Sequence, residues 1–443
     1  MGMEKMHQMN GMLCYCGKYH RFEAKVEVGP GAIGKLPQYL EQFGAKKVYL
    51  LSDCNTWAAA GCRVEALITG YGVKCLSYSF PQEHLEPDEA AVGSAIMHFS
   101  ADCDLVVAVG SGVINDIGKI VASTAKLPYI IVGTAPSMDG YASATSSMTR
   151  DGLKISLPSK GADVIIGDTD ILCQAPPVMM KAGLGDMLAK YVSICEWRIA
   201  HLLTGEYYCP EIAELVRSAL AQCVRQADGL LKREESAVRA VFEGLVITGV
   251  AMNYAGLSRP ASGVEHYISY CLDMRGVEFG TPMALHGIQC AVGTRIAAAL
   301  YEKLRAVTPD RQKALDYVAA FDLEDWNRQL RDYLGKGAES MIALEQKERK
   351  YDPARHAQRL ETILSRWEEL LAIMQEEVPA LKQIDILLDT INCPKYLHQI
   401  GTQDSDAGML LRCSKDIRDK YVLSRLFWDL GILDEMAENA ALI

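Results

Sequence analysis

Two histidines and one aspartate, each in a separate helical stretch, are the residues of this sequence whose types best suit a catalytic metal. Asp186 lies in GLGDMLAKY, His266 in SGVEHYISY and His286 in MALHGIQC. One carboxylate and two imidazoles leave one position of a tetrahedral Zn²⁺ open for a substrate. Separations of 80 and 20 residues are not diagnostic, and a single such histidine is more often an ordinary core or surface residue. The set predicts a metal site, with packing roles as the alternative.

A glycine-rich loop suits a second task, the binding of a pyrophosphate. The stretch VVAVGSGVINDIGK, residues 106–119, passes from an apolar strand through Gly110, Ser111 and Gly112 into a helix. Glycines let the backbone approach a phosphate, and the N–H groups at a helix start favour negative charge. The spacing matches the dinucleotide fingerprint only loosely, so a tight turn without a ligand is the alternative.

Asp53 ends the apolar stretch KVYLLSD and is a candidate for binding the adenosine ribose of a dinucleotide. Its carboxylate could accept hydrogen bonds from the ribose diol. No Arg or Lys adjoins it, which favours NAD over NADP because a 2′-phosphate needs a nearby arginine. A role as a helix N-cap fits the same position equally well.

The loop TAPSMDGYAS, residues 134–143, follows the apolar run PYIIVG and contains a single acid, Asp139. A strand this apolar usually leads to more core, whereas the loop offers small and polar residues. Loops of this kind, held by a rigid sheet, commonly contact ligands. We therefore expect a ligand over this loop.

The elements that must position these residues change character along the chain. From residue 22 to 133, short apolar strands alternate with helical stretches, which predicts βαβ units and a parallel sheet covered by helices on both faces. After about residue 172 the patterns are helical. We predict an α/β protein with a Rossmann-like NAD-binding domain, residues 1–171, followed by an all-helical metal-binding and catalytic domain, residues 172–443.

Two details of the helical part are also predicted. Pro176 and Pro177 are expected to form the first turn of one long helix that reaches about residue 203. The charged stretch 311–376 is expected to form a solvated helical hairpin, broken near Asp352 and Pro353.

Bulk properties exclude several classes of function. A net charge of −11 argues against nucleic-acid binding, and the apolar runs are too short to cross a membrane. Without a signal-peptide pattern, we expect a cytoplasmic protein. The fourteen cysteines are scattered, and most lie in apolar segments, which indicates reduced core thiols. Examples are Cys103, Cys195, Cys223 and Cys271.

One cysteine cluster stands apart from this pattern. The stretch CYCGKYH, residues 14–20, places Cys14, Cys16 and His20 at a spacing that could supply three of the four ligands of zinc. The sequence shows no evident fourth ligand. The turn of an N-terminal hairpin without metal is the alternative.

The whole chain resembles the sn-glycerol-1-phosphate dehydrogenases, of the dehydroquinate synthase and iron-containing alcohol dehydrogenase superfamily. The resemblance is carried, in the family's order and over about residues 25–300, by the motifs VGSGVINDIGK, TAPSMDGYAS, GLGDMLAKY, SRPASGVEHYIS and LHGIQCAVGT. TAPSMDGYAS is the most specific of these motifs. The resemblance implies a dehydroquinate synthase-like fold and a reversible reduction of dihydroxyacetone phosphate by NAD(P)H, with NADP the less favoured cofactor.

The resemblance also implies roles for individual residues. Asp186, His266 and His286 would bind one divalent metal, Zn²⁺ or Ni²⁺, and Asp139 would contact the substrate. The cofactor would be bound by Asp53, Gly110, Ser111, Gly112, Val113 and Ile114, with Thr134, Ala135, Pro136, Ser137 and Ser143 on the nicotinamide side. A homo-oligomer, dimer or larger, is expected as well.

Two departures from related families narrow the class of enzyme, and a third leaves the exact substrate open. Lys190 stands where iron-type alcohol dehydrogenases have a histidine, and dehydroquinate synthases have glutamate at the position of Asp186. Tyr270 stands where a substrate-contacting histidine is expected, and a phenol can relay a proton but carries no positive charge. Arg259 and Lys154 are candidate phosphate partners. A glycerol or other polyol dehydrogenase, a lyase of the dehydroquinate synthase type and a non-catalytic NAD-binding protein are the alternatives.

Overall fold

The computed structural model describes residues 2–151 and 153–443. The described residues of the first part of the chain form eight strands: β1 (Lys25–Gly29), β2 (Lys47–Asp53), β3 (Lys74–Phe80), β4 (Leu105–Gly110), β5 (Tyr129–Gly133), β6 (Thr145–Arg150), β7 (Leu153–Pro158) and β8 (Val164–Asp168). The sheet of six strands has the order β1-β8-β5-β4-β2-β3, and every pair in it is parallel. Strands β6 and β7 form a separate antiparallel pair.

The helices alternate with these strands and then continue alone. The first twelve are α1 (Gly2–Met9), α2 (Leu36–Gln42), α3 (Cys54–Thr56), α4 (Cys62–Gly70), α5 (Glu89–Met97), α6 (Gly112–Ala125), α7 (Thr169–Leu172), α8 (Pro177–Leu188), α9 (Lys190–Thr204), α10 (Pro210–Arg225), α11 (Ala227–Leu230) and α12 (Glu235–Ala255). A π-helical turn, Trp57–Gly61, joins α3 to α4, and a 3₁₀ turn, Asp139–Tyr141, follows β5.

Eleven more helices complete the described chain: α13 (Val264–Phe279), α14 (His286–Leu304), α15 (Arg311–Ala319), α16 (Leu323–Leu334), α17 (Gly337–Glu348), α18 (Pro353–Ser365), α19 (Trp367–Glu377), α20 (Leu381–Thr390), α21 (Ala407–Ser414), α22 (Leu423–Asp429) and α23 (Leu433–Ala440). The α/β class and the parallel sheet followed by helices agree with the prediction. Within the described residues, no helix is both long and apolar enough to cross a membrane.

Packing divides the chain into two compact units, residues 1–187 with 214–257 and residues 188–213 with 258–443. The sequence pattern predicts a different division, between residues 171 and 172, where the sheet ends and the helical part begins after β8. It stays a proposal about domain organisation.

The inner strands of the sheet in the first unit are largely apolar, whereas the edge strands β1 and β3 each begin with an exposed lysine. Every residue of β4, β5 and β8 is buried, as expected for strands covered on both faces. Strand β4 pairs with β2 on one side and with β5 on the other, with Gly110 opposite Gly133. The carboxyl ends of β2, β4 and β5 therefore lie side by side at one edge of the sheet, where such folds bind their ligands.

Two predictions about the helices were wrong in detail. The long helix from Pro177 is interrupted at Ala189, which separates α8 from α9. The charged stretch forms five short helices, α15 to α19, because N-capping Asp322 and Asp352 and the left-handed Gly335, with φ of 59°, divide it. The expected break at Asp352 and Pro353 is present, with Pro353 in the first turn of α18.

Candidate active site

The first unit places the predicted cofactor residues at the shared edge of β2, β4 and β5. Helix α6 begins at Gly112, directly after β4, and its N-cap residue Ser111 makes no side-chain capping bond. The backbone N–H groups of the first turn therefore keep the positive potential that binds a phosphate. A Cβ on Gly110 would lie 2.5 Å from that of Ile114, so the sharp turn requires glycine there. These features support the predicted pyrophosphate loop.

Asp53 is the N-cap of α3, the alternative role that its position allowed. Its Oδ1 accepts a hydrogen bond from the Thr56 backbone N–H at 2.8 Å, and Thr56 Oγ1 accepts from the Asp53 N–H at 2.9 Å. Capping fixes the carboxylate at the carboxyl end of β2, next to β4. The role in ribose binding stays a prediction, and it is compatible with the cap because a carboxylate has two oxygens.

Residues 134–143 are held against α6 by a network that sequence reasoning missed. Lys119 is buried, and its Nζ donates to Gly140 O at 3.3 Å, Ser143 Oγ at 3.2 Å and Thr145 O at 2.5 Å. Asn115 Nδ2 also donates to Gly140 O, at 3.0 Å. Asn115 and Lys119 lie four residues apart on one face of α6, which is the only sequence signal for this role.

A second set of contacts joins the loop to the glycine turn. Ser111 and Ser137 are hydrogen-bonded through their hydroxyls, and Tyr141 OH lies 3.3 Å from Ser111 Oγ. Tyr141 OH donates to Ala135 O at 2.7 Å, and burial raises its pKa above the usual range. The proposed pyrophosphate and nicotinamide segments are therefore one rigid piece of the first unit.

The structure brings Asp139 and Asp186 together within this unit. Asp186, which is fully buried on α8, accepts a hydrogen bond from the Asp139 backbone N–H at 3.0 Å, and their carboxylates lie within 4.8 Å of one another. A Cβ on Gly183 would lie 1.8 Å from the carbonyl oxygen of Pro136. Gly183, three residues before Asp186, therefore allows the loop and α8 to approach each other closely, as the sequence suggested.

The second unit brings His266 and His286 together. Their ring centroids are 5.0 Å apart, and their donor atoms lie within 4.8 Å of each other and of Cys290 Sγ. His266 Nδ1 donates to Glu265 Oε1 at 2.8 Å, and His286 Nδ1 lies 3.1 Å from Ser269 Oγ, which itself donates to Gln289 Oε1 at 2.6 Å. Such bonds fix the tautomer that leaves Nε2 available to a metal.

The positions of Glu265, Ser269 and Gln289 explain why the imidazoles are well oriented, and sequence reasoning missed all three. Each is buried in the second unit. Glu265 adjoins His266 in the sequence, which was a usable signal, because metal-binding histidines commonly donate to a carboxylate. Ser269 and Gln289 gave no such signal.

A buried acid pair lies beside His266. Glu196 Oε2 accepts from the Val264 N–H at 3.0 Å and Oε1 accepts from the Leu423 N–H at 2.9 Å. Burial, with the neighbouring Glu265 as the second cause, raises the pKa of Glu196 to about 8. Glu196 is therefore largely protonated in the folded protein below that pH.

We expect this acid to make the folded protein less stable as pH rises. The pKa of Glu196 is raised above its usual value of 4.5, so the folded state holds a proton that the unfolded state has lost. The free energy of unfolding should fall between about pH 5 and about pH 8, by up to about 1.4 kcal/mol per pH unit. In urea titrations across this range, Glu196→Gln should show a flatter dependence. Parallel curves for the two proteins would contradict the assignment.

Arg259 is not available to a phosphate, contrary to its prediction as a phosphate partner. The guanidinium is fully buried and binds Glu206 through Nε at 2.7 Å and Nη2 at 2.6 Å. Its Nη1 donates to Tyr421 O at 2.8 Å. Its role in the second unit is structural. The predicted role of Lys154 stays a prediction.

Tyr270 has a cationic neighbour that the sequence could not indicate. Its ring is nearly parallel to that of His286, with centroids 6.2 Å apart, and the guanidinium carbon of Arg418 lies 5.9 Å from the Tyr270 ring centroid. Arg418 is exposed. An arginine beside the position of the expected histidine could supply the positive charge that a phenol lacks.

Comparison with known proteins agrees with this arrangement. Residues 27–176 match the family model described as iron-containing alcohol dehydrogenase. Glycerol dehydrogenase from Schizosaccharomyces pombe has a TM-score of 0.59 at 16% identity, with 96% of this chain and 92% of that chain covered. A 1,3-propanediol oxidoreductase also has a TM-score of 0.59, at 16% identity, with 93% and 97% covered. The fold is that of the iron-containing alcohol dehydrogenase class.

Sequence relatives narrow the class further. The chain is 35% identical over 294 residues to glycerol-1-phosphate dehydrogenase [NAD(P)+] of Halalkalibacterium halodurans, which covers 65% of this chain and 74% of the relative. It is 36% identical over 279 residues to the enzyme of the same description from Hyperthermus butylicus, with 62% and 78% covered. This protein belongs to the glycerol-1-phosphate dehydrogenase family.

Proposed function

We propose that this protein catalyses the reversible reduction of dihydroxyacetone phosphate to sn-glycerol 1-phosphate with NADH, using one divalent metal. The observation that carries the proposal is the 35% identity to a glycerol-1-phosphate dehydrogenase of which 74% is covered. A lyase of the dehydroquinate synthase type is not favoured, because the curated relatives are dehydrogenases. The expected homo-oligomer and cytoplasmic location stay predictions.

The proposed metal ligands are Asp186, His266 and His286, and the proposed ion is Zn²⁺ or Ni²⁺. The support is chemical: Asp186 is a buried carboxylate next to the loop of residues 134–143, here called the substrate loop, and both imidazoles are oriented with Nδ1 hydrogen-bonded. One carboxylate and two imidazoles suit either ion. When bound, the metal supplies a Lewis acid that stabilises negative charge on the substrate oxygen.

The residues of the chain then position the reactants. The turn at Gly110–Gly112 and the start of α6 would hold the pyrophosphate of NADH, and residues 134–137 with Ser143 would hold its nicotinamide. Lys119 and Asn115 keep this loop rigid, which fixes the donor carbon relative to the substrate. We propose that Asp139 orients a substrate hydroxyl and that Tyr270 or a water transfers the proton.

The test of the proposed function is an initial-rate panel of ketones. We expect turnover of dihydroxyacetone phosphate with NADH, much slower turnover of unphosphorylated dihydroxyacetone, and competition by inorganic phosphate. NADH should be preferred over NADPH because Asp53 would repel a 2′-phosphate. Preference for the unphosphorylated ketone would favour the polyol dehydrogenase alternative, and equal use of both cofactors would exclude Asp53 as the discriminating residue.

Substitution of Arg418 tests whether this residue recognises the phosphate of the substrate. We expect Arg418→Ala to raise the KM for dihydroxyacetone phosphate by about 10–100-fold, the range for losing one charge-assisted hydrogen bond, with little change for the unphosphorylated ketone. Arg418→Lys should recover part of the loss. The control is Arg328→Ala, which removes another exposed arginine, from α16. An equal change for both ketones would show that Arg418 does not recognise the phosphate.

A further inference from the structure

The N-terminal turn, residues 13–20, is a tight structure with little core of its own. Cys14 N–H donates to Lys18 O at 2.9 Å, Gly17 N–H donates to Cys14 O at 2.9 Å, and Leu13 pairs with Tyr19 in an antiparallel bridge. Most of its large side chains face solvent, including Tyr15, which is 99% exposed. Small structures without an apolar core usually need a covalent or metal cross-link.

His20 is the exception, because it is buried at 1% exposure. Its Nδ1 lies 3.2 Å from the carbonyl oxygen of Tyr254, on α12, and therefore donates to it. The other nitrogen, Nε2, is then unprotonated, and it lies 3.4 Å from Cys16 Sγ. A metal-binding histidine characteristically has one ring nitrogen bonded to a carbonyl in this way and the other turned to the metal.

The distances fit a metal site. The donor atoms of Cys14, Cys16 and His20 all lie within 4.8 Å of one another. Zinc bonds of about 2.3 Å to sulfur and about 2.05 Å to nitrogen, at the tetrahedral angle, place a sulfur and a nitrogen ligand about 3.6 Å apart. The separation of 3.4 Å between Cys16 Sγ and His20 Nε2 is close to this value.

We propose that Cys14, Cys16 and His20 bind a structural Zn²⁺ ion, separate from the catalytic metal. A further thiolate or a water completes the tetrahedron. Two thiolates and one imidazole are a typical donor set for structural zinc and a poor one for magnesium or calcium.

The ion would fasten the N-terminal segment to α12. Tyr254 OH donates to Met6 O on α1 at 3.0 Å, so α12 already holds that helix. At the preceding residue of α12, Asn253 Nδ2 donates to Ala142 O at 2.6 Å, within the substrate loop. Loss of the ion should therefore loosen the N-terminal segment first and lower the melting temperature.

Cobalt substitution of the full-length protein tests the site, because thiolate ligands give Co²⁺ an intense near-ultraviolet charge-transfer band that Asp and His ligands do not. We expect the band in the wild type, its loss in Cys16→Ser and in the Cys14→Ser/Cys16→Ser double variant, and a loss of about one equivalent of zinc per chain in both. Cys75→Ser, which removes another half-buried thiol, is the matched control. Cys290→Ser should keep the band, since that thiol lies near His286.

Two outcomes would overturn the proposal: an unchanged zinc content in the double variant, or a cobalt band that disappears only in Cys290→Ser. The band intensity counts the thiolates. The readout does not depend on turnover, so it is independent of the proposed reaction.

Discussion

Replacing His266 by alanine is expected to remove the catalytic metal and to lower kcat/KM for dihydroxyacetone phosphate by about 10³-fold or more. Metal ions contribute several kcal/mol of transition-state stabilisation, and about 1.4 kcal/mol corresponds to a factor of ten. Asp186→Asn should have the same effect because it removes the anionic ligand. Metal content by mass spectrometry and initial rates would be measured on the same samples.

Graded variants make this test specific. Glu265→Gln keeps the imidazole but weakens the bond to its Nδ1, so metal affinity should fall by about 10–100-fold and added metal should restore activity. His398→Ala, which changes an exposed histidine paired with Asp404, is the control and should retain both metal and turnover. Full turnover by His266→Ala, whether or not one equivalent of metal is lost, would exclude the proposed ligand set.

Gly183→Ala is expected to damage both stability and catalysis, although it adds only one methyl group. The new Cβ would lie 1.8 Å from the Pro136 carbonyl oxygen and 2.7 Å from its carbonyl carbon, so the backbone must move. Overpacking of this kind costs about 1–3 kcal/mol. Asp186 follows one helical turn later, and a shift of about 1 Å at a reacting group can reduce the rate about 10²-fold.

The matched control for this prediction is Gly93→Ala. Gly93 lies within α5, and a Cβ there meets no atom within 4 Å. This substitution should stabilise the protein by about 0.5–1 kcal/mol through helix propensity and leave activity unchanged. Thermal melts and rates for both variants would be compared. If Gly183→Ala behaved like Gly93→Ala, the tight contact between α8 and the substrate loop would be disproved.

The sheet was predictable because its inner strands are largely apolar and alternate with helical stretches. Strands β2, β4 and β5 occur where KVYLLSD, DLVVAVG and PYIIVG predicted them. Strand order was not predictable from the pattern, since it depends on which buried faces pack together. The helical part was harder, because capping Asp322 and Asp352 and a left-handed Gly335 divide a continuous charged pattern into short helices.

Residues close to a motif in the sequence were easier to predict than those that support it from elsewhere. The glycine turn and the Asp139 loop follow directly from strand ends. The orienting role of Glu265 could have been predicted from the sequence, because Glu265 is adjacent to His266. The contact of Arg418 with Tyr270 joins positions far apart in the chain, and so does the pairing of Arg259 with Glu206 that removes Arg259 from the phosphate candidates. Such contacts require the tertiary structure.

Anomalous diffraction from crystals of the metal-loaded protein with NADH tests the central proposal most directly. We expect an anomalous peak about 2 Å from a carboxylate oxygen of Asp186 and from the Nε2 atoms of His266 and His286. The absence of a metal peak at these ligands, with the three side chains more than about 8 Å apart, would contradict the proposal, because no single ion could bond to all three.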